Sequence, residues 1–364
     1  MLSDAFSDSD VGVGIKFRTD GSVFNLRRLQ AKTKVTRDIV NDLLFADDCA
    51  LNALSEPNMQ HSVDKFSGAC NNFGLTISIK KTEVMHQPAP GHTYSEPNIT
   101  IDGQRLKAVD KFVYLGSTLS RNVVINDEVN ASLAKASTAF GRLRKNVWDR
   151  RGITKETKIK VYRAVVLTTL LYGCESWTVY ERHARELNHF HTTCLRKLLG
   201  INWQDKVPDT EVLERACLPS IHTILMQSQP RWAGHVVRMR DHRLPKKLFY
   251  GELRQGKRSV GGQNKRFRHT LKVSLKAFDI DINTWEKAAQ DRGGWRAAVH
   301  KGAQSYEANR TAAAEERRRA RKARACQPLS AATIPCPHCN VMFRAQIGLT
   351  SHLRHRHPPP PIDD

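Results

Sequence analysis

Short apolar runs early in the chain predict strands, and the first clear element is a hairpin. Residues 43–45 and 49–51 are apolar runs of strand length, and they flank two adjacent carboxylates, Asp47 and Asp48. Because aspartate is a poor strand residue and a good turn residue, we expect both acids at the tip of a β-hairpin. An acidic turn that merely solvates the edge of a sheet would give the same local pattern.

The residues after this hairpin predict a helix followed by more strands. Ser55 and Pro57 are typical of a helix start, and apolar residues then recur at three- and four-residue steps until Gly74. Phe66 and Phe73 fall on the apolar face of this helix, so we expect both in the core. Alternation and turn residues predict a strand over residues 75–79, an Asp-Gly hairpin over 99–106 and a strand over 112–116.

From about residue 119 onward, apolar residues recur with a helical period. Gly200 is expected to end one of the helices. Strands followed by helices predict an α+β fold. The expected helices lie around residues 133–147, 159–170, 187–198, 210–217, 221–227, 271–278 and 295–325.

The charge of the chain points to an anionic partner. The 364 residues include 58 Lys and Arg against 36 Asp and Glu, a formal net charge of +22. Nucleic acid is the commonest partner for such an excess, although an anionic membrane surface would also attract it. The most apolar run, residues 161–174, is too short to span a bilayer and contains Arg163, so we expect no membrane segment. The first residues lack a secretion signal, and only Cys336 and Cys339 of the eight cysteines are closely spaced, which indicates reduced, intracellular thiols.

The acidic hairpin begins a series of motifs that follow one another in a fixed order. The series consists of F-A-D-D at residues 45–48, G-L-T-I-S-I-K-K-T at 74–82, Y-L-G at 114–116, L-Y-G-C-E-S-W at 171–177 and W-A-G-H-V at 232–236. It resembles the palm and the downstream region of reverse transcriptases from non-LTR retrotransposons, over about residues 43–251. A single short motif would be weak, whereas several in the right order are specific.

The resemblance implies a role for three residues. Asp47 would bind catalytic magnesium, Asp48 would support the site, and Lys81 would face an incoming dNTP, although a solvated strand-end lysine is an equal alternative for Lys81. Two-metal catalysis needs a further Asp on a neighbouring strand. In the family that Asp lies well upstream, and no apolar strand leads into Phe6-Ser7-Asp8. We therefore expect a truncated palm with vestigial catalytic residues.

A second constellation near the end of the chain has the spacing C-x2-C-x12-H-x4-H. This spacing fits a tetrahedral zinc site on a ββα finger, and Phe343 and Leu349 occupy the positions of the two core residues. The region resembles the two-cysteine two-histidine zinc-finger family, and so small a core folds only with its metal. His355 is an alternative fourth ligand with a shorter spacing. The expected ligands are Cys336, Cys339, His352 and His357.

The residues around the finger favour phosphate contacts over base recognition. The base-facing helix positions would be Ala345, Gly348 and Ser351, which cannot make bidentate contacts with bases. The basic run at 317–324 fits a phosphate-binding stripe or a nuclear localisation signal, although a solvated helix with ion pairs explains part of it. We therefore expect an intracellular, nuclear protein. The expected nucleic-acid contacts are Arg317, Arg318, Arg319, Arg321, Lys322, Arg324, Arg344, Arg354 and Arg356.

These features predict four regions in an α+β chain. They are a partial reverse transcriptase palm with an antiparallel sheet (1–118), a helical thumb-like and downstream region (119–253), a basic linker with a helical segment (254–330) and a ββα zinc finger (334–358).

The function expected from these regions is that of a retrotransposon polymerase remnant. It would bind RNA or DNA, with zinc as cofactor, and would not polymerise alone. Two alternatives stay open. The chain could be a domesticated zinc-finger nucleic-acid-binding protein, or it could be an active reverse transcriptase, with magnesium and dNTP as its only small-molecule substrate, if a longer reading frame or a partner supplies the missing strand.

Overall fold

The computed structural model describes residues 11–256, 265–326 and 331–358. The chain divides into two compact units, Met1–Asn309 and Arg310–Asp364. The Phe6-Ser7-Asp8 tripeptide and most of the predicted basic linker lie outside the described residues.

The strands of the first unit are short and form separate small sheets. In one sheet, the order is β11-β1-β2 and both pairings are antiparallel. The hairpins β3–β4, β6–β7 and β9–β10 are antiparallel, whereas β5 and β8 pair in parallel. These strands are β1 (Val13–Phe17), β2 (Thr36–Val40), β3 (Asp42–Phe45), β4 (Asp48–Leu51), β5 (Glu83–Val84), β6 (Thr100–Ile101), β7 (Gln104–Arg105), β8 (Lys107–Ala108), β9 (Lys111–Tyr114), β10 (Ser117–Ser120) and β11 (Gly251–Leu253).

Apart from α1, the described α-helices follow β10 in the sequence. Two stretches, Arg144–Trp148 and Tyr162–Leu167, widen into π-helix, and the second joins α3 to α4 without a break. The helices are α1 (Glu56–Asn72), α2 (Asn126–Arg142), α3 (Lys155–Val161), α4 (Thr168–Leu170), α5 (Glu181–Leu199), α6 (Asp209–Ala216), α7 (Ile221–Val237), α8 (Leu244–Tyr250), α9 (Phe267–Ala277), α10 (Trp285–Ala288) and α11 (Arg292–Ala325).

The mixed helix and strand composition confirms the predicted α+β class. The predicted acidic hairpin is present as β3–β4, and the Asp-Gly hairpin is present as β6–β7. Among the described residues, however, these hairpins do not join into one antiparallel sheet.

Helix α1 begins where the sequence predicts but ends before Phe73. Ser55 caps it, because its side chain accepts a hydrogen bond from the Asn58 backbone N–H at 3.4 Å. Phe66 is buried as expected, whereas Phe73 is 49% exposed, so its assignment to the core is wrong. Phe73 is the residue after the last helical turn, and the chain turns away at Gly74 with φ of 66°.

The predicted strand over residues 75–79 is also wrong, since this segment has no strand pairing. Its alternation is nevertheless real: Ile77 and Ile79 are half-buried and pack against the core beneath α1, while Thr76 and Ser78 are exposed. The alternation of apolar and polar residues therefore indicates which side chains are buried, although this segment forms no hydrogen bonds to a neighbouring strand.

Two large apolar cores hold the rest of the first unit together. One lies among α2 to α7 and contains the fully buried Tyr162, Leu187 and Leu195. The other lies among α7 to α11 and is centred on Trp285 and Leu271. Gly200, with φ of 71°, ends α5 as predicted.

The second unit contains the end of α11 and a small ββα element. Its parts are β12 (Ile334–Pro335), β13 (Met342–Phe343) and α12 (Gln346–Arg356), and the two strands pair antiparallel. This is the secondary structure that the finger spacing predicts.

Among residues 11–256, 265–326 and 331–358, none of the helices has the length and apolar character needed to cross a membrane. All eight cysteines lie in these ranges, and none forms a disulfide.

Candidate metal centre and nucleic-acid interface

The ββα element brings four potential metal ligands together. Cys336 and Cys339 lie in the turn between β12 and β13, His352 lies on α12, and His357 follows its last residue. One donor atom from each residue lies within 4.8 Å of all the others, and Cys339 Sγ is 3.2 Å from His352 Nε2. His355 is exposed and does not belong to this group. Such a cluster could hold a metal ion.

The electrostatics of the cluster favour the protonation states that a metal ligand needs. Burial alone would raise the pKa of the Cys336 thiol. Hydrogen bonds from the backbone N–H groups of His338 and Cys339 and from the Cys339 side chain have the larger combined effect, so the pKa is lowered. Burial, with the nearby His352 and His338, lowers the pKa of His357. A thiolate and a neutral imidazole are the ligating forms of these side chains.

One atom in the cluster also lacks a partner. His357 Nε2 is buried and accepts or donates no hydrogen bond within the described part of the chain. Buried polar atoms are rarely left unsatisfied, and a bound metal would satisfy this one. The donor set, with two sulfurs and two imidazole nitrogens, is chemically suited to a metal that takes four ligands in a tetrahedron.

The apolar core beneath the cluster is very small. Leu349 is buried and Phe343 half-buried, with the Phe343 ring 4.9 Å from the His352 ring. Domains this small usually need a metal or disulfides to fold.

The helix of this element carries small side chains at the three positions that are expected to face bases. Helix α12 begins at Gln346 with Ala345 as its N-cap, which places Ala345, Gly348 and Ser351 as the sequence predicts. Ile347, which the sequence pattern did not single out, is 81% exposed on the same turn. Its position two residues after the N-cap was the available signal.

The predicted phosphate-contacting residues are accessible. Arg318 is half-buried, and the other arginines and the lysine of the set are exposed. Arg319 makes a long ion pair of 3.8 Å with Glu315, and both side chains remain in solvent. Exposed pairs of this kind are weak, so the charge stays available to an anionic partner.

The acidic hairpin presents its two carboxylates to a wide groove. Asp47 and Asp48 are exposed at the tip, and Ala46 adopts φ of 52° to form the tight turn. Lys81 lies in an exposed turn, where its backbone N–H donates to Ser78 O at 3.0 Å. Asp47, Asp48 and Lys81 all line one groove of the first unit, with a volume of about 3220 Å³.

No third potential metal ligand completes a cluster at this tip within the described residues. Asp42 lies at the other end of β3, about 10 Å of extended chain away. Burial raises the pKa of Asp42. The hairpin by itself therefore lacks the carboxylates that would bracket two metal ions.

The sequence motifs of the first unit contact one another in the fold. Tyr114 Oη donates a hydrogen bond to Leu43 O at 2.8 Å, which ties the Y-L-G hairpin to the acidic hairpin. Gly116 has φ of 83°, and a Cβ there would lie 3.1 Å from the Tyr172 ring. The Gln229 side-chain amide donates to Trp177 O at 3.0 Å. A packed structure thus connects residues that are far apart in sequence.

A packing constraint also explains the small residues of the W-A-G-H-V motif. Ala233 is fully buried, and a Cβ on Gly234 would overlap the Trp295 ring. The Trp295 indole donates to Pro230 O at 3.0 Å in the same helix contact.

Comparison with known proteins relates the chain to mobile elements. It is 28% identical over 276 residues to a transposon-derived protein of Caenorhabditis elegans, an alignment that covers 73% of this chain and 96% of that protein. It is 21% identical over 186 residues to the RNA-directed DNA polymerase from the mobile element jockey of Drosophila melanogaster, and 22% identical over 162 residues to that of Drosophila funebris. These alignments cover 49% and 44% of this chain, but only 20% and 16% of the two polymerases.

No family model and no solved structure matches the chain. The similarities support an origin in a non-LTR retrotransposon, as the motif series predicts.

Proposed function

We propose that the chain is a zinc-dependent nucleic-acid-binding protein derived from a retrotransposon polymerase. The observation that carries this proposal is the convergence of four donor atoms, from Cys336, Cys339, His352 and His357, within 4.8 Å of one another on a ββα element. Zinc suits this donor set best, because it accepts thiolate and imidazole ligands in a closed tetrahedral site.

Zinc would have a structural role and not a catalytic one. All four positions are filled by protein ligands, which leaves no open position for a substrate, so the ion would serve to fold the finger. Because the apolar core offers little beyond Leu349 and Phe343, metal binding and folding of this element would be one event.

The partner is nucleic acid, held mainly through its phosphates. The net charge of +22 supports an anionic partner, and the exposed arginines of α11 and of the finger supply the contacts. The small side chains at the base-facing positions favour binding with little sequence preference. The same basic run on α11 supports a nuclear location.

The palm-like part would not synthesise DNA by itself. The resemblance assigns magnesium binding to Asp47, support to Asp48 and a dNTP contact to Lys81, but the described residues bring no third carboxylate to that hairpin. Two-metal catalysis requires ligands that bracket both ions.

The test compares two cysteine variants of the full chain. Cys336→Ser removes a proposed ligand, while Cys326→Ser changes an exposed cysteine at the end of α11 and serves as the matched control. With zinc present, Cys336→Ser should lose bound metal and bind a labelled oligonucleotide more weakly, and Cys326→Ser should match the unchanged protein. Equal metal content and affinity in both variants would refute the proposal.

A domesticated zinc-finger protein that recognises a particular sequence is the second candidate. Selection from random duplex oligonucleotides distinguishes it, because the proposed phosphate binding enriches no motif, whereas sequence recognition enriches one.

A further inference from the structure

Trp203 is held almost fully in solvent. It is 83% exposed, and no large apolar side chain among the described residues is more exposed. Trp148, Trp177, Trp285 and Trp295 are all buried. A tryptophan offers a large apolar area, so one that points outward in a well-packed chain suggests a binding role.

The backbone around Trp203 is fixed by its own hydrogen bonds. Trp203 begins the short 3-10 turn Trp203–Asp205 between α5 and α6. The Asn202 N–H donates to Asp205 Oδ2 at 2.7 Å, and the Lys206 N–H donates to Trp203 O at 3.2 Å. The turn therefore presents the indole from a defined position.

Both ends of the turn are anchored to the helical core. Ile201 and Val207 pack against that core on either side of the exposed indole. The Arg196 guanidinium donates to Val207 O at 2.8 Å and to Asp209 at 2.7 Å. A ligand that meets this side chain would not have to order the loop first, which lowers the entropy cost of binding.

Basic residues lie close to the turn in sequence and at the adjoining end of α5. Lys155 Nζ donates to Leu199 O at 3.0 Å, which places its ammonium group beside the last residue of α5. Lys197 and Lys206 are exposed on either side of Trp203 in sequence.

The acids near the turn are already engaged. Asp205 accepts the Asn202 N–H within the turn, and Asp209 pairs with Arg196. The rim of the exposed indole therefore has an excess of positive charge.

We propose that Trp203 is a stacking platform for an unpaired base of single-stranded nucleic acid, with the neighbouring lysines Lys155, Lys197 and Lys206 holding the phosphates on either side. Aromatic stacking combined with a basic surface is how proteins bind single strands without reading sequence. A protein-docking tryptophan would be expected within a mainly apolar patch that excludes water, and this one has a charged rim. The residues of this site all belong to the first unit and none is a residue of the finger, so the proposal does not depend on the function proposed above.

The experiment uses the full chain carrying Cys336→Ser. Binding through the finger is then removed from every chain compared, so the result does not depend on whether the finger binds nucleic acid. In that background, Trp203→Ala should bind a single-stranded oligothymidylate about tenfold more weakly, as expected for the loss of one stacked base. Trp203→Phe should keep most of the affinity. Leu54→Ala is the matched control, since Leu54 is also exposed, at 67%, but lies in the segment between β4 and α1.

Two further probes separate stacking from charge. An abasic oligomer of the same length should bind Trp203→Ala and its Cys336→Ser background equally, because it has no base to stack. Lys155→Gln with Lys206→Gln should reduce the salt dependence of binding to both oligomers.

Fluorescence of the chain with Trp203 present gives an independent readout. Oligothymidylate should protect the exposed tryptophan from acrylamide quenching, and the Trp203→Phe chain should show no such protection. Equal oligothymidylate affinity for Trp203→Ala and its background, or an equal loss with the abasic oligomer, would overturn the proposal. Binding of another protein that Trp203→Ala abolishes, without any effect on oligothymidylate, would also overturn it.

Discussion

The Tyr114 hydroxyl donates a hydrogen bond to Leu43 O at 2.8 Å, across 71 positions of sequence. This contact fixes the β9–β10 hairpin against the strand that carries the acidic turn. It shows that the motifs of the first unit are joined by packing, whether or not they still support catalysis.

Tyr114→Phe should therefore destabilise the chain modestly. A lost hydrogen bond of this type costs about 1 kcal/mol, with an additional cost where the carbonyl is left unsatisfied. Urea unfolding of the full chain measures the change, and hydrogen exchange at residues 43–51 should increase locally. An unchanged unfolding midpoint together with unchanged exchange would show that the contact is not maintained in solution.

Gly116→Ala should destabilise more than Gly103→Ala. Both glycines have positive φ, 83° and 77°, so both substitutions carry the backbone strain of that region. A Cβ at Gly116 would also press on the Tyr172 ring at 3.1 Å, whereas nothing lies within 4 Å of one at Gly103. We expect an extra cost of about 1 kcal/mol for Gly116→Ala, in the usual range for overpacking. Chemical denaturation of both variants measures the difference, and equal losses would show that the Tyr172 contact adds nothing.

His191 should make the fold sensitive to mild acid. It accepts or donates a 2.8 Å hydrogen bond with Tyr162 Oη in the interior. Burial lowers the pKa of His191 to about 4, although Pro219 and Glu307 each raise it partway. The unfolded histidine binds its proton at a higher pH than the folded one does. Stability that is present above pH 6.5 is therefore lost as the pH falls from about 6.5 towards 4, by about 3 kcal/mol over the full range.

Urea unfolding at several pH values between 7 and 5 tests this dependence. A chain with His191→Gln should be less stable at pH 7 but should lose less on acidification. The same slope with and without this histidine would mean that other groups cause the acid sensitivity.

The arginines of α11 should account for part of the salt dependence of binding. Replacing Arg317, Arg319 and Arg321 by Gln should reduce the slope of log affinity against log salt by about 0.9 for each phosphate contact that is lost on duplex DNA. Replacing Arg142 and Arg163 of the first unit by Gln gives a control for the loss of positive charge outside this helix. If both sets changed the slope equally, the charge of α11 would have no special role.

Primer extension with magnesium tests the acidic hairpin. The full chain should give no more product than its Asp47→Ala variant, because no third carboxylate joins Asp47 and Asp48 within the described residues. Robust synthesis that depends on Asp47 would instead support an active reverse transcriptase.

Local chemistry in the sequence was enough to predict several elements. Ser55 begins α1, Gly200 ends α5, and the metal-ligand spacing predicts the ββα element in which Cys336 and His357 meet. Each of these features depends on residues that are neighbours in sequence or follow a fixed spacing.

Features that depend on distant contacts could not be predicted in this way. The periodicity that placed Phe73 in the core continues one step past the end of the helix, and only the fold shows where the helix stops. The alternation over residues 75–79 correctly reports which side chains are buried, but a strand also needs a partner, and none lies beside this segment in the described chain. The exposure of Trp203 depends on how Ile201 and Val207 anchor the turn.

Reversible removal of the metal tests whether nucleic-acid binding depends on a folded zinc site. The affinity of the unchanged full chain for a labelled duplex is measured with zinc, after chelation, and after zinc is restored. Chelation should weaken binding and restored zinc should return it fully, while Cys336→Ser should bind weakly throughout. Binding that is equally strong in all three states would contradict this dependence on zinc.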